Sequence, residues 1–260
     1  MATLMNDNGS GSDADIRAQV SDEEWAVRVD LAAAYRLVAH YGWDDLIFTH
    51  LSARVPGPDH HFLINPYDMM FEEITASSLV KIDVEGQPVL PTSHPVNPAG
   101  FTIHSAVLSG RPDVFSVAHT HTRAGMAISA QKDGLLPLNQ TALRFYNRLS
   151  YHPYEGVALD HSERERLIGH LGTNKAMILR NHGLLSVGET VPEAFNVLAY
   201  LEKSCQSQLD ALSGGVELEL PREEVCEHTA QQFEKFAPIG HRDWPGLLRK
   251  LDRIDPSFRD

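Results

Sequence analysis

Cysteine is nearly absent. Of 260 residues, only Cys205 and Cys226 carry a thiol. Two cysteines cannot build a disulfide framework or a thiolate zinc site, so a reducing, cytoplasmic setting is expected. Positive charge is scarce as well: Lys and Arg number 22 against 35 Asp and Glu, a formal net charge of −13. A surface of that sign repels phosphate backbones and anionic lipids, so neither nucleic acid nor a membrane surface is an expected partner. No apolar run approaches the roughly 20 residues a membrane-spanning helix needs. The first residues lack the basic-then-apolar layout of a signal peptide. Hydrophobic residues make up 42% and charged residues 22%, values that exclude global disorder and supply a full core at this length. Histidine is what the sequence has in quantity. There are 14, several at ligand-like spacings.

Three regions are expected along the chain. Residues 1–20 read as a disordered tail, because Asn, Gly, Ser and Asp leave it almost nothing to bury. Residues 21–215 read as one metal-binding α/β domain, and residues 216–260 as a helical extension that docks on the body or on a neighbouring subunit. Ser21-Asp22-Glu23-Glu24 has the form of a capping box. Val27, Leu31, Ala34, Val38 and Tyr41 then recur at helical spacing, with Gly42 as the stop. Alternating apolar residues predict strands over 51–55, 62–64 and 80–84. Prolines at 88, 91, 95 and 98 predict a loop. Beyond it come a helix over 99–109, a buried strand over 114–121, a short helix over 124–130 and a strand over 177–179. Thr190-Val191-Pro192-Glu193 is a second capping box, opening a long helix to about residue 212. Trp244, Leu247, Leu248, Leu251 and Ile254 form an apolar stripe near the end. Interleaved strands and helices favour a single α/β domain.

The sharpest chemical feature is His119-Thr120-His121 at the end of a strand-like run. Residues two apart on a strand share a face, with Cα atoms roughly 6.5–7 Å apart. Two imidazoles so placed can converge on one ion at about 2.0–2.1 Å per bond. A pair of hydrogen-bonded histidines at a strand end fits the same spacing. The second feature is Asn181-His182-Gly183, just past a buried strand, where α/β folds place ligands. Gly183 allows close backbone approach or a positive φ. Together the three histidines would make a facial three-nitrogen site with open positions for water or substrate.

Asn97-Pro98-Ala99-Gly100-Phe101-Thr102-Ile103-His104, Arg111-Pro112-Asp113, His119-Thr120-His121 and Arg180-Asn181-His182-Gly183 follow one another in an order that resembles the class II aldolase/adducin family, closest to its adducin-like branch. Phe62-Leu63-Ile64-Asn65-Pro66 and Gly134-Leu135-Leu136-Pro137-Leu138 add to the likeness, which covers roughly residues 25–212. The resemblance implies a three-layer αβα fold around a mainly antiparallel sheet. It implies that His119, His121 and His182 hold a divalent metal ion, with zinc the expected ion and iron or manganese the alternatives. It also implies a small-molecule substrate and a homo-oligomer, a tetramer first.

This sequence departs from the phosphosugar aldolases of that family. Gly100 stands where they carry the glutamate that ligates metal and transfers protons. Thr49-His50 and Tyr67-Asp68 stand where they bind phosphate, and Asp68 would repel a dianion. Candidates to replace the glutamate are His94, Tyr151 and His152, with His50, Asp68 and Tyr154 behind them. His104 is expected to make a structural hydrogen bond, and Glu155 to orient a histidine or cap a turn. The expected function is therefore a metal-dependent carbon–carbon lyase or decarboxylase on a small unphosphorylated hydroxy or oxo compound. The alternatives are a non-haem Fe(II) oxygenase on the same three histidines and a non-catalytic adducin-like binding protein. Adducins bind actin and spectrin through a long tail with a Lys-rich end; the C-terminal region here is acidic, so those partners are not expected.

Overall fold

The computed structural model describes residues 16–156 and 163–260. Its elements run α1 (Ile16–Gln19), α2 (Asp22–His40), β1 (His50–Arg54), β2 (Phe62–Ile64), β3 (Val80–Ile82), α3 (Pro98–Gly110), β4 (Ser116–Thr120), α4 (Arg123–Ser129), β5 (Leu149–His152), α5 (Glu163–Leu171), β6 (Ala176–Leu179), β7 (Gly183–Gly188), α6 (Val191–Ser213), α7 (Glu223–Glu234) and α8 (Trp244–Ile254). The strands form one sheet in the order β3-β2-β1-β4-β7-β6-β5. Every pairing is antiparallel except β5 with β6.

Side-chain alternation divides the core in two. On one face Leu51, Ala53, Leu63, Ala118, Ile178 and Leu184 pack with Leu31 and Leu37 of α2 and Phe195 and Leu198 of α6. On the other, Phe62, Ile64, Val117, Met177, Leu179 and Leu185 lie under Ile103 and Val107 of α3 and Leu167 and Leu171 of α5. The sheet is thus the middle of three layers, as expected.

Local chemistry explains where the elements begin and end. The Ser21 hydroxyl accepts the Glu24 amide at 3.1 Å and starts α2. The reciprocal half of the expected box is missing, because the Glu24 carboxylate turns inward to Arg28 and Lys81. Gly42, at φ 67, follows the last turn of α2 as the left-handed residue that side chains avoid. Thr190 caps α6 through the Glu193 amide at 3.2 Å, while Glu193 itself bonds the Glu189 amide at 2.8 Å instead of reaching Thr190.

The strand expected over 80–84 stops at Ile82. The Asp83 carboxylate accepts from the Glu85 and Gln87 amides at 2.9 and 2.8 Å and turns the chain. Of the tail expected over 1–20, residues 1–15 lie outside the described residues, and Ile16–Gln19 is helical. The acid-rich segment after residue 216 carries α7. The apolar stripe of α8 docks on this chain's own body: Trp244 and Leu251 join the α2/α6 core, and the Trp244 indole donates to Asp30 at 2.8 Å. No helix among the described residues is long and apolar enough to cross a membrane.

Candidate metal centre

His119 sits near the end of β4, a central strand. Val117 points to the α3/α5 face, so the period of two sends His119 the same way, and His121 follows just past the strand. His50 of β1 pairs in register with His119. The third imidazole arrives on the turn between β6 and β7. Asn181 there takes φ 55, and a Cβ on Gly183 would meet the Thr120 carbonyl oxygen at 2.3 Å. Gly183 is therefore required for close approach, the first of the two roles its position suggested. Its absent side chain lets the His182 turn press against the end of β4.

The three Nε2 atoms converge. His121 Nε2 lies 3.0 Å from His119 Nε2 and 2.9 Å from His182 Nε2. The ligand atoms all lie within 4.8 Å of one another, a grouping that could hold a metal ion. The opposite ring nitrogens fix the tautomers. His119 Nδ1 donates to the Leu184 carbonyl at 2.8 Å, and His121 Nδ1 donates to the Asp45 carboxylate at 2.9 Å. Carbonyl and carboxylate oxygens only accept, so each proton is on Nδ1 and each Nε2 presents a lone pair. Two lone pairs facing each other at 3.0 Å repel unless a cation lies between them. Burial first, then the neighbouring histidines, hold His119 well below the ordinary imidazole pKa. Burial first, then His121 and His152, lower His182 to about 4. Both shifts favour the neutral imidazole at His119 and His182, the form that metal ligation requires. The donor set fits a divalent ion.

Asp45 was not legible as part of this site. It belongs to a strained loop in which Leu46 has φ 54 and the β-branched Thr49 has φ 64. Such strain persists where surrounding structure imposes it, and here the loop delivers a carboxylate to a ligand histidine. A carboxylate behind a metal-bound imidazole raises its basicity and fixes its plane. Asp45→Asn is expected to weaken divalent-metal affinity by about 10–100-fold, measured by competition with a chromogenic chelator. An affinity within about twofold of wild type would mean that the carboxylate does not support His121.

Behind His119 lies a buried polar chain. His50 Nδ1 is 2.8 Å from His104 Nε2, and His104 Nδ1 is 2.5 Å from the Ser52 hydroxyl. Burial is the first cause that lowers both imidazoles well below their ordinary pKa, so the pair is neutral. His104 thus makes the structural hydrogen bonds its position suggested. The hydroxyl of Thr49, the residue before His50, is buried without a hydrogen-bond partner.

The structure separates the three acid/base candidates. His152 faces the α3/α5 side and shares a small cavity with Tyr154, Arg180 and His182. Its Nδ1 lies 2.8 Å from His170 Nδ1 and its Nε2 3.2 Å from Glu163. Tyr151, one residue earlier on β5, points to the opposite face. Its hydroxyl accepts the Leu135 amide at 3.0 Å, the Arg180 guanidinium covers its ring at 4.2 Å, and it packs on the α2/α6 core. Strand alternation therefore keeps Tyr151 from the histidine cluster. His94 is bonded to Asp68 at 2.8 Å in the proline-rich loop, so these two candidates engage each other. Glu155 is engaged by Arg166 at 3.0 Å and hydrogen-bonds no histidine among the described residues. Tyr154 stacks edge-on toward His182, centroids 6.4 Å apart. Gly100 falls in α3, and the side chains of 98–101 lie outside the described residues.

The structure is a three-layer sheet fold with converging imidazoles at the end of a central strand that could hold a metal ion. The model of the Class II Aldolase and Adducin N-terminal domain matches residues 29–209, and the chain belongs to that family. An aldolase II superfamily protein from Pseudomonas syringae is similar at 52% identity, over 94% of this chain and 99% of that one, with a TM-score of 0.89. An L-fuculose 1-phosphate aldolase from Glaciozyma antarctica is similar at 30% identity, over 92% and 93% of the two chains, with a TM-score of 0.79. Alpha-adducin of Rattus norvegicus is 39% identical over an alignment of 247 residues that covers 89% of this chain and 34% of that protein.

Proposed function

We propose that this protein is a metal-dependent lyase or decarboxylase acting on a small unphosphorylated hydroxy or oxo compound. His119, His121 and His182 would hold the metal, with zinc the expected ion and iron or manganese the alternatives. The observation that carries the reading is the pair of Nδ1 anchors, Leu184 and Asp45, which turn Nε2 lone pairs toward a common point. A divalent ion there would supply Lewis acidity, polarising a carbonyl or hydroxyl and stabilising negative charge that develops on oxygen.

The chain's own residues would supply the rest. His152, bonded to Glu163 and His170 beside His182, is the candidate that reaches the metal side of the sheet, where it would hold or pass a proton. Neutral His50, backed by His104, would orient a neutral hydroxyl or carbonyl. His50, held neutral by burial, brings no positive charge of the kind a phosphate dianion seeks, and Gly100 has no acid/base group to give. The Glaciozyma relative's name describes that protein, and the two chains share under a third of their residues.

The three imidazole nitrogens, with no carboxylate among them, also suit Fe(II), which keeps an oxygenase as the second reading. A homotetramer in the cytoplasm, built without nucleic acid, membrane, actin or spectrin, completes the proposal. The testing experiment is a retro-aldol assay on the metal-loaded protein with fuculose 1-phosphate and ribulose 5-phosphate, then with unphosphorylated hydroxy and oxo acids. No turnover is expected with the phosphorylated compounds, for wild type or for Gly100→Glu, because the anion-binding donors stay absent. Aldehyde or carbon dioxide release is expected with a hydroxy or oxo acid. Robust turnover of either sugar phosphate would overturn the substrate class, and oxygen uptake with Fe(II) would favour the oxygenase.

A further inference from the structure

A second cavity lies at the other end of β6 from His182. It has a volume of about 940 Å³ and is walled by α6, α7, the turn at 144–148 and the segment 236–243. The Arg144 guanidinium lines it, held 3.5 Å from the centre of the Tyr200 ring and 4.3 Å from that of Phe233. Stacking between two rings fixes the plane of the guanidinium fork, and Tyr200 also engages it as a hydrogen-bond partner.

The other charges in this wall are largely engaged. Arg148 pairs with Glu227 and Glu234, and Lys175 pairs with Glu189 and Glu193. Asp243 accepts from the Asn196 amide at 2.8 Å and forms no ion pair with Arg144. Among the described residues no direct ion pair holds Arg144, and the Asp243 carboxylate acts on it through space. Burial lowers the pKa of the group, and Tyr200 and Asp243 partly restore it. Phe145, Val197 and Phe236 give the same cavity an apolar wall, and Arg242 stands exposed at its rim. A concave, partly apolar space with a pre-set guanidinium is the form of a small-anion pocket.

We propose that this cavity binds a small monocarboxylate with an apolar or aromatic body. Its carboxylate would lie in the Arg144 fork and its body on Phe145, Val197 and Phe236. The site is separate from the three histidines, so its occupancy does not depend on metal.

Isothermal titration of the full chain with benzoate tests this. Saturable binding below about 10 mM is expected, with the same affinity in His119→Ala. Arg144→Gln keeps a planar polar group and loses the charge; it should weaken binding at least about tenfold. Because Arg144 also stacks between two rings, Arg242→Glu serves as the second variant. It repels an anion from the exposed rim without touching the stack, and should weaken binding severalfold. Benzamide, of like shape and no charge, should bind at least about tenfold more weakly than benzoate. Absence of saturable binding, equal affinity for benzamide, or unchanged affinity in both variants would overturn the proposal. So would loss of binding in His119→Ala, which would place the carboxylate at the metal centre.

Discussion

His182→Ala, His119→Ala and His121→Ala are each expected to lose stoichiometric divalent metal while retaining the fold. The three Nε2 atoms lie at the end of one strand and on one adjoining turn, and removal of one leaves two donors, too few for a tight protein site. Affinity should fall by well over the 10–100-fold expected when only an outer carboxylate is lost. Elemental analysis after gel filtration reads the content directly. Thermal melting supplies the check on folding. A metal that binds only the native state stabilises it in proportion to the logarithm of its concentration over Kd. Chelation should therefore lower the melting temperature of wild type and leave that of each variant nearly unmoved. If His119→Ala combined with His182→Ala still carries one metal per chain, the assignment of these histidines is wrong.

Sequence periodicity found the elements whose signal is local. β4 and α4 follow one another with Thr122 as the cap between them, and α6 opens at Thr190 with Pro192 in its first turn. β7 went unseen because it is buried on both faces, so Leu184-Leu185-Ser186-Val187 shows no alternation. β5 escaped for another reason. It pairs in parallel with β6, more than 20 residues away, and nothing in Leu149-Ser150-Tyr151-His152 announces that partner. α5 buries only Leu167 and Leu171, a stripe too thin to outweigh its charged remainder.

The site divides in the same way. His119 and His121 were legible because a two-residue spacing on a strand is itself a geometric statement. His182 was legible because Gly183 marks a close approach. Asp45 was not. It lies 76 residues from the histidine it holds, and Trp43-Asp44-Asp45-Leu46 reads as a solvated acidic turn. The opposite fates of Tyr151 and His152 turn on one fact that no local pattern provides, namely which face of β5 meets the histidines. The half-formed capping box at Ser21 is a related case. A glutamate three residues past a serine predicts a return bond to the backbone, but tertiary partners offered Glu24 two cations instead.

Those two cations make Glu24→Ala the substitution with the largest expected cost to stability. Arg28 is fully buried and Glu24 is 4% exposed. Arg28 Nε donates to Glu24 at 3.0 Å, and its Nη1 donates to the Ala76 and Leu79 carbonyls at 3.1 and 2.8 Å. Lys81 reaches the other Glu24 oxygen at 2.8 Å. One network thus ties the first turns of α2 to the start of β3. Burial holds the Arg28 guanidinium below its ordinary pKa, and Glu24 partly restores it. Removing Glu24 leaves that charge buried and unpaired, a loss of about 3–5 kcal/mol. At about 2–4 °C per kcal/mol for a chain of this size, melting should fall by roughly 6–20 °C. Arg28→Ala should cost as much by a different route, a cavity plus two orphaned carbonyls. The double variant Glu24→Leu with Arg28→Met should be less harmful than Glu24→Ala alone, because apolar side chains of similar volume avoid burying a lone charge. Denaturant midpoints for the three variants decide the matter, with metal content as the control that the distant histidines are undisturbed. A loss below about 1 kcal/mol for Glu24→Ala would mean the pair behaves as a solvated surface bridge, and the network would not be what fastens α2 to the sheet.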